Sequence, residues 1–304
     1  MTPRIRIGTR EGLWELDGDR VFAVEAFAGK SLTALAADGA REWAIADGRA
    51  LWEGADTRWT LRATIEGHEA TCLAPTREGL LIGTEQAHLL RLTEDGLAPV
   101  ESFERVDGRA AWYTPWGDPA DVRSISVARD GAVYVNVHVG GVVRSRDGGR
   151  TWTPTVDIEN DVHQVLAHPS RAEVVLTAAA DGFGVSRDGG ASWRFVTEGM
   201  HAHYLRAVAA SDDTVLVSAS SGPGGRRAAL YRGHLDADAA AFEQCTDGLP
   251  TWFGDNVDTG CLAALGSFVA CGTEDGRVFR SLDGGRSWDA AAKGLAPVTC
   301  LMLR

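Results

Sequence analysis

The chain is nearly devoid of lysine. Lys30 and Lys293 are its only ones, and with 42 acidic against 30 basic side chains it carries a formal net charge of -12. Such a balance repels phosphate backbones and anionic lipid headgroups, so nucleic acid and membrane surfaces are not expected partners. No run approaches the roughly 18 apolar residues of a membrane span. The opening residues Met1 to Gly8 lead into no apolar stretch of the roughly 7 to 15 residues that a leader needs. The five cysteines, Cys72, Cys245, Cys261, Cys271 and Cys300, are odd in number and show no Cys-x-x-Cys spacing. That excludes a simple disulfide framework and suits free thiols in a reducing cytoplasm. A Gly-x-Ser-x-Gly elbow, a phosphate loop and His-Glu-x-x-His are all missing.

What is abundant is glycine, 36 residues in a chain that is 44% apolar, as in a turn-rich β protein. Three stretches nearly coincide: Ser145 to Trp152, Ser186 to Trp193 and Ser281 to Trp288, each Ser-x-Asp-Gly-Gly-x-Thr/Ser-Trp. A recurring turn between strands marks a repeat architecture. Its Ser and Asp can bond backbone amides, its glycines supply positive φ, and its Trp packs between sheets. Asp147, Asp188 and Asp283 are therefore read as structural, not catalytic.

Around the first turn lie β-patterned runs at Val122 to Val127, Val133 to Val137, Val142 to Arg144 and Trp152 to Val156. They make a four-stranded meander with the turn between its third and fourth strands. The same layout fits Leu32 to Ile65, Thr71 to Phe103, Val162 to Val196, Leu205 to Cys245 and Cys261 to Ala291. Trp59, Phe103 and Phe242 stand where the turn Trp is degenerate, and the fifth unit's turn has decayed to Arg232 to Asp236. The end fragments, Val298 to Arg304 and Arg4 to Val24, combine into a seventh unit. The expectation is an all-β, seven-bladed β-propeller in a single domain, 1–304, with one blade closed by both termini, which removes an open sheet edge.

The pattern Ser-x-Asp-x-Gly-x-Thr/Ser-Trp resembles the Asp-box, or BNR repeat, of sialidase-like β-propellers. Proteins with this repeat include sialidases, xyloglucan-degrading hydrolases, sortilin-type receptors and photosystem assembly factors, so the resemblance implies a fold and leaves function open. Sialidases have an arginine triad, a Tyr/Glu pair and an Arg-Ile-Pro start. Here Arg4-Ile5 is followed by Arg6, and the tyrosines Tyr113, Tyr134, Tyr204 and Tyr231 offer no assignable pair. A true sialidase is not expected; the chain looks more like uncharacterised cytoplasmic single-propeller bacterial members.

If the repeated turn joins strands three and four, the second-to-third and blade-to-blade connections share the opposite face. Long irregular loops fall there, where function tends to sit. One carries Trp112, Tyr113 and Trp116 ahead of Arg123; another carries Trp252, Phe253, Asp255 and Asp258. His138, His163 and His203 come to this face from three consecutive blades. Such histidines can bind a divalent transition metal, act as general acid or base near neutral pH, or simply hydrogen-bond. Arg123 and Arg206 can pair with an anionic ligand group or with Asp121, Asp255 or Asp258. Cys72, Cys261 and Cys300, each within Thr/Gly-Cys-Leu, read as small residues at a crowded position.

Two functions are expected from these residues. The first is a small-molecule binder or enzyme, hydrolase- or lyase-like, with His138, His163 and His203 as catalytic or metal groups. Its substrate-binding residues would be Trp112, Tyr113, Trp116, Arg123, Arg206, Trp252, Asp255 and Asp258. Seven-bladed lyases that open cyclic ester antibiotics offer an analogy. The alternative is a non-catalytic scaffold whose aromatic loops dock a protein.

Overall fold

The computed structural model describes residues 3–55, 58–235 and 241–304. Among them the strands form seven four-stranded antiparallel sheets, each a meander of neighbours in sequence save one. The exception takes its first strand from the C-terminus: Val298–Leu303 pairs with Ile5–Thr9, followed by Gly12–Asp17 and Arg20–Val24. Arg4 and Arg304 exchange both backbone hydrogen bonds, at 2.8 and 2.9 Å, sealing that junction. The fold is a seven-bladed β-propeller, with blade boundaries within a few residues of those expected from the repeats. Asp236, the acidic position of the decayed turn, lies outside the described residues. No described helix is long and apolar enough to cross a membrane.

Burial follows strand position. The second strand of the blade at 121–154, Val133–His138, is buried throughout, so both of its faces are covered. Each of its valines contributes about 1.5–3 kcal/mol by leaving water. The outer strand Arg58–Thr64 buries only Trp59. The chain divides into two compact units. One runs from Thr33 to Ala179 and includes Gly184–Arg194; the other holds the remaining N-terminal residues to Leu32, Ala180–Phe183 and Phe195 onward.

The three repeated turns share one hydrogen-bond plan. In the first, the Ser145 hydroxyl donates to Asp147 Oδ1 at 2.8 Å and accepts from the Gly149 amide at 2.8 Å. Asp147 Oδ1 also accepts from the Arg150 and Thr151 amides, while Oδ2 accepts from the Thr151 hydroxyl at 2.6 Å. Asp188 with Ser186 and Ser192, and Asp283 with Ser281 and Ser287, repeat it. Gly148 and Gly149 have φ of 72° and 85°, values that L side chains rarely adopt. Donation from the Thr151 hydroxyl and amide holds the Asp147 carboxyl at about 2. Trp152 then packs edge-on against Phe103, with ring centroids 5.1 Å apart, and its indole N–H donates to Ser102.

The cysteines occupy tight inner positions. A Cβ on Gly83 would lie 2.7 Å from Cys72 Sγ, and one on Gly8 would lie 2.3 Å from Cys300 Sγ. Burial pushes Cys72 and Cys300 up to about 12, and Cys261 well above its ordinary value. These thiols are protonated packing groups at neutral pH.

Candidate functional site

The strand Val133–His138 ends where it faces Asp121, the first residue of Asp121–Val127, across the ladder. The next turn is fastened to the aromatic loop: Tyr113 and Val139 exchange backbone hydrogen bonds at 3.1 and 2.8 Å. Gly140 is required beside it, because a Cβ there would meet Trp112 at 2.9 Å. In the neighbouring blade, His163 is the second residue of Val162–Ala167 and is wholly buried. Its strand is registered by Asn136 Nδ2, which donates to the Val162 carbonyl at 2.9 Å, and by the Ser124 hydroxyl accepting from the Val165 amide. Between the blades, Asp157 caps the single turn Ile158–Asn160 by accepting from the Glu159 amide. Asp161 follows with φ 46°, a left-handed conformation that Asp tolerates better than most residues.

That backbone turn aims Asp161 at both histidines. Its Oδ1 lies 2.9 Å from His138 Nε2 and its Oδ2 lies 3.7 Å from His163 Nε2. The imidazole centroids are 5.3 Å apart, and one ligand atom from each of the three residues falls within 4.8 Å of the others. Burial works to raise the Asp161 carboxyl, but His138, His163 and Arg123 outweigh it and hold it below the ordinary carboxylate value. Near the trio, the Asn136 Oδ1 is buried and accepts no hydrogen bond from any described residue. Two imidazoles sharing one carboxylate can hold a cation or pass a proton.

Trp116 is 64% exposed and its ring lies 5.7 Å from that of His138. Tyr113 is 41% exposed. Trp112 turns the other way, packing 5.8 Å from Phe103 beneath the Arg109 guanidinium. Of the groups expected here, His138, His163, Trp116 and Arg123 converge, while Trp112 belongs to the hydrophobic packing. Asp161 was not singled out from the sequence. Only its place two residues before His163 marked it, and the left-handed turn that aims it at both rings is not written in that spacing.

The remaining candidates lie in the other unit. His203 is exposed and is not part of the trio. Arg206 is paired with Asp258, Nε to Oδ1 at 2.9 Å, and its guanidinium lies 5.8 Å from the Tyr204 ring centre. The exposed Asp255 accepts from the Asn256 amide. Trp252 lies 4.7 Å from the ring of His201 and under the Arg227 guanidinium. His201 Nδ1 meets the buried Tyr231 hydroxyl at 2.7 Å, a pair that sequence reading did not anticipate. Burial, then Arg227, lowers the His201 imidazole, and burial raises Tyr231.

No known protein family matches the chain, and no curated protein matches it. Solved structures do. A protein described as a putative 6-phosphogluconolactonase from Bacteroides uniformis aligns over 100% of this chain and 99% of its own, with a TM-score of 0.66 and 12% identity. A catalytically inactive virginiamycin B lyase from Staphylococcus aureus, solved with quinupristin, aligns over 88% of each chain with a TM-score of 0.61 and 13% identity. YCF48 bound to D1 peptide aligns over 94% of this chain and 84% of that one, with a TM-score of 0.62 and 15% identity. The likeness is one of fold. Hydrolase-like, lyase and peptide-binding proteins share it, so function must be argued from side chains.

Proposed function

We propose that this protein is a small-molecule hydrolase or lyase of the Asp-box propeller type, with His138, Asp161 and His163 as its reacting centre around a divalent transition metal. The convergence of two buried imidazoles and one carboxylate within 4.8 Å carries the reading. Donors at about 2.0–2.1 Å from a tetrahedral ion stand roughly 3.3 Å from one another. Here Asp161 Oδ1 stands 2.9 Å from His138 Nε2 and Oδ2 stands 3.7 Å from His163 Nε2, so an ion drawing one donor from each residue pulls the three atoms, now within 4.8 Å of one another, onto that spacing. Two nitrogens and a carboxylate oxygen suit zinc, manganese or iron and leave further positions for water and substrate. A metal held there supplies Lewis-acid polarisation of a substrate oxygen or an acidified water.

The other roles belong to the chain. Arg123 adds positive charge beside Asp161 and suits an anionic substrate group, while Trp116 gives an exposed ring beside His138 for an apolar or cyclic portion. Elemental analysis after loading with zinc or manganese and desalting should find about one ion per chain. Asp161→Asn and His163→Ala should each lose it. Unmodified protein that retains no metal under those conditions overturns the reading.

A second reading rests on Trp116 and Tyr113, whose exposure suits a docking loop for a protein. It predicts a partner recovered by pulldown with the unmodified chain and lost with Trp116→Ala while metal content stays intact.

A further inference from the structure

A concave groove lies in the same compact unit as the histidine trio, one blade earlier. It measures about 320 Å³ and is lined by Glu66, His68, Thr84, His88, Leu90, Pro99, Glu101 and Glu104. That volume is at the small end for ligand pockets, which run from about 300 Å³ upward. It admits one functional group with a short chain.

Its wall is built, not incidental. His68 and His88 stack with centroids 4.7 Å apart and planes 22° from parallel. His88 is fixed by its Nδ1, which meets Glu104 Oε1 at 2.8 Å. The other Glu104 oxygen meets Arg109 at 2.8 Å, and Arg109 in turn donates to the Ala87 carbonyl. The loop holding Glu66 and His68 is anchored from the side by Arg49, which donates to the Gly67 carbonyl. Glu104 is therefore spent on the wall, its charge met by Arg109. Glu66 and Glu101, both exposed, have no ion-pair partner among the described residues. Leu90 and Pro99 add apolar surface.

We propose that this groove binds a small molecule bearing a guanidinium on a short aliphatic chain. A guanidinium is flat, stacks on aromatic faces and donates in a fork that matches carboxylates. The stacked imidazoles offer the face, Glu66 and Glu101 offer the acceptors, and Leu90 with Pro99 covers the methylenes. An ammonium of equal length meets the carboxylates but forfeits the stacking. The proposal is independent of the metal reading, since none of these residues belongs to the trio.

Isothermal titration with butylguanidine tests it, with butylamine, of the same chain length and single positive charge, and butyrate as comparison ligands. Butylguanidine should bind saturably, butylamine more weakly, and butyrate not at all. The double variant Glu66→Gln/Glu101→Gln keeps the groove's shape and should weaken butylguanidine by about tenfold or more, the scale of losing charged hydrogen bonds. His68→Ala should narrow the gap between butylguanidine and butylamine. Glu94→Gln, on the hairpin at the far end of the same sheet, should leave binding unchanged. Absence of saturable butylguanidine binding, butylamine binding as tightly, or an equal loss in Glu94→Gln, which would mean attraction to the chain's general negative charge, each overturns the proposal.

Discussion

Asp147 and Asp161 belong to the same compact unit, yet their surroundings divide their work. Asp147 sits in a repeated turn where both its oxygens accept from the Arg150 and Thr151 amides and from the Ser145 and Thr151 hydroxyls. It is consumed by the backbone. Asp161 follows a capped turn in a left-handed conformation, and its oxygens face two imidazoles from different blades. Both carboxyls are held below the ordinary value, one by hydroxyl and amide donors and the other by the hydrogen bond from His138 together with the charges of His163, His138 and Arg123, which outweigh burial. A lowered carboxyl alone thus says little about role; what does the lowering says more.

The comparison can be broken at the structural end first. Trp152→Ala removes the ring seated on Phe103 and should cost about 3–5 kcal/mol, read from the denaturant midpoint. Asp147→Ala leaves the Arg150 and Thr151 amides without their acceptor and should cost about 1–3 kcal/mol by the same measurement. Asp161→Asn keeps the side chain's shape and an oxygen that still accepts from His138, and should shift stability by about 1 kcal/mol or less. Equal destabilisation by the two aspartate variants would erase the contrast. The smallest effect is on pH dependence. The Asp147 carboxyl is at about 2 when folded against an ordinary 3.8, so its contribution is whole above the ordinary value and is lost as pH falls through the folded one. Midpoints measured from pH 6 down to pH 2 should fall less steeply for Asp147→Asn than for the unmodified chain.

The blades were legible because each repeats a local pattern. Strands such as Val133–His138 are continuous apolar runs, and the turns carry Ser, Asp and Gly at fixed offsets whose hydrogen bonds close within a few residues. The terminal blade was legible too, since the end fragments fit together only as complementary strands. The grouping of residues proposed as the site was legible in part. His138 and His163 stood out as histidines at strand ends, but Asp161 looked like one more acidic loop residue in a chain with 42 of them. The groove of stacked His68 and His88 escaped notice because its members lie in three different connections. Trp112 misled in the other direction: a ring in a polar loop read as a pocket wall, and the structure turns it onto Phe103.

By itself the sequence determined the seven blades, the closure by both chain ends and the structural duty of Asp147, Asp188 and Asp283. Those properties depend on hydrogen bonds and periodicities that span a few residues. Which histidine meets which carboxylate was decided only by tertiary structure. It depends on the φ of Asp161, on Asn136 holding the Val162 carbonyl, and on two adjacent blades presenting their loop ends together. Short-range chemistry is written in the order of residues, whereas a site is a coincidence in space of residues the chain keeps apart.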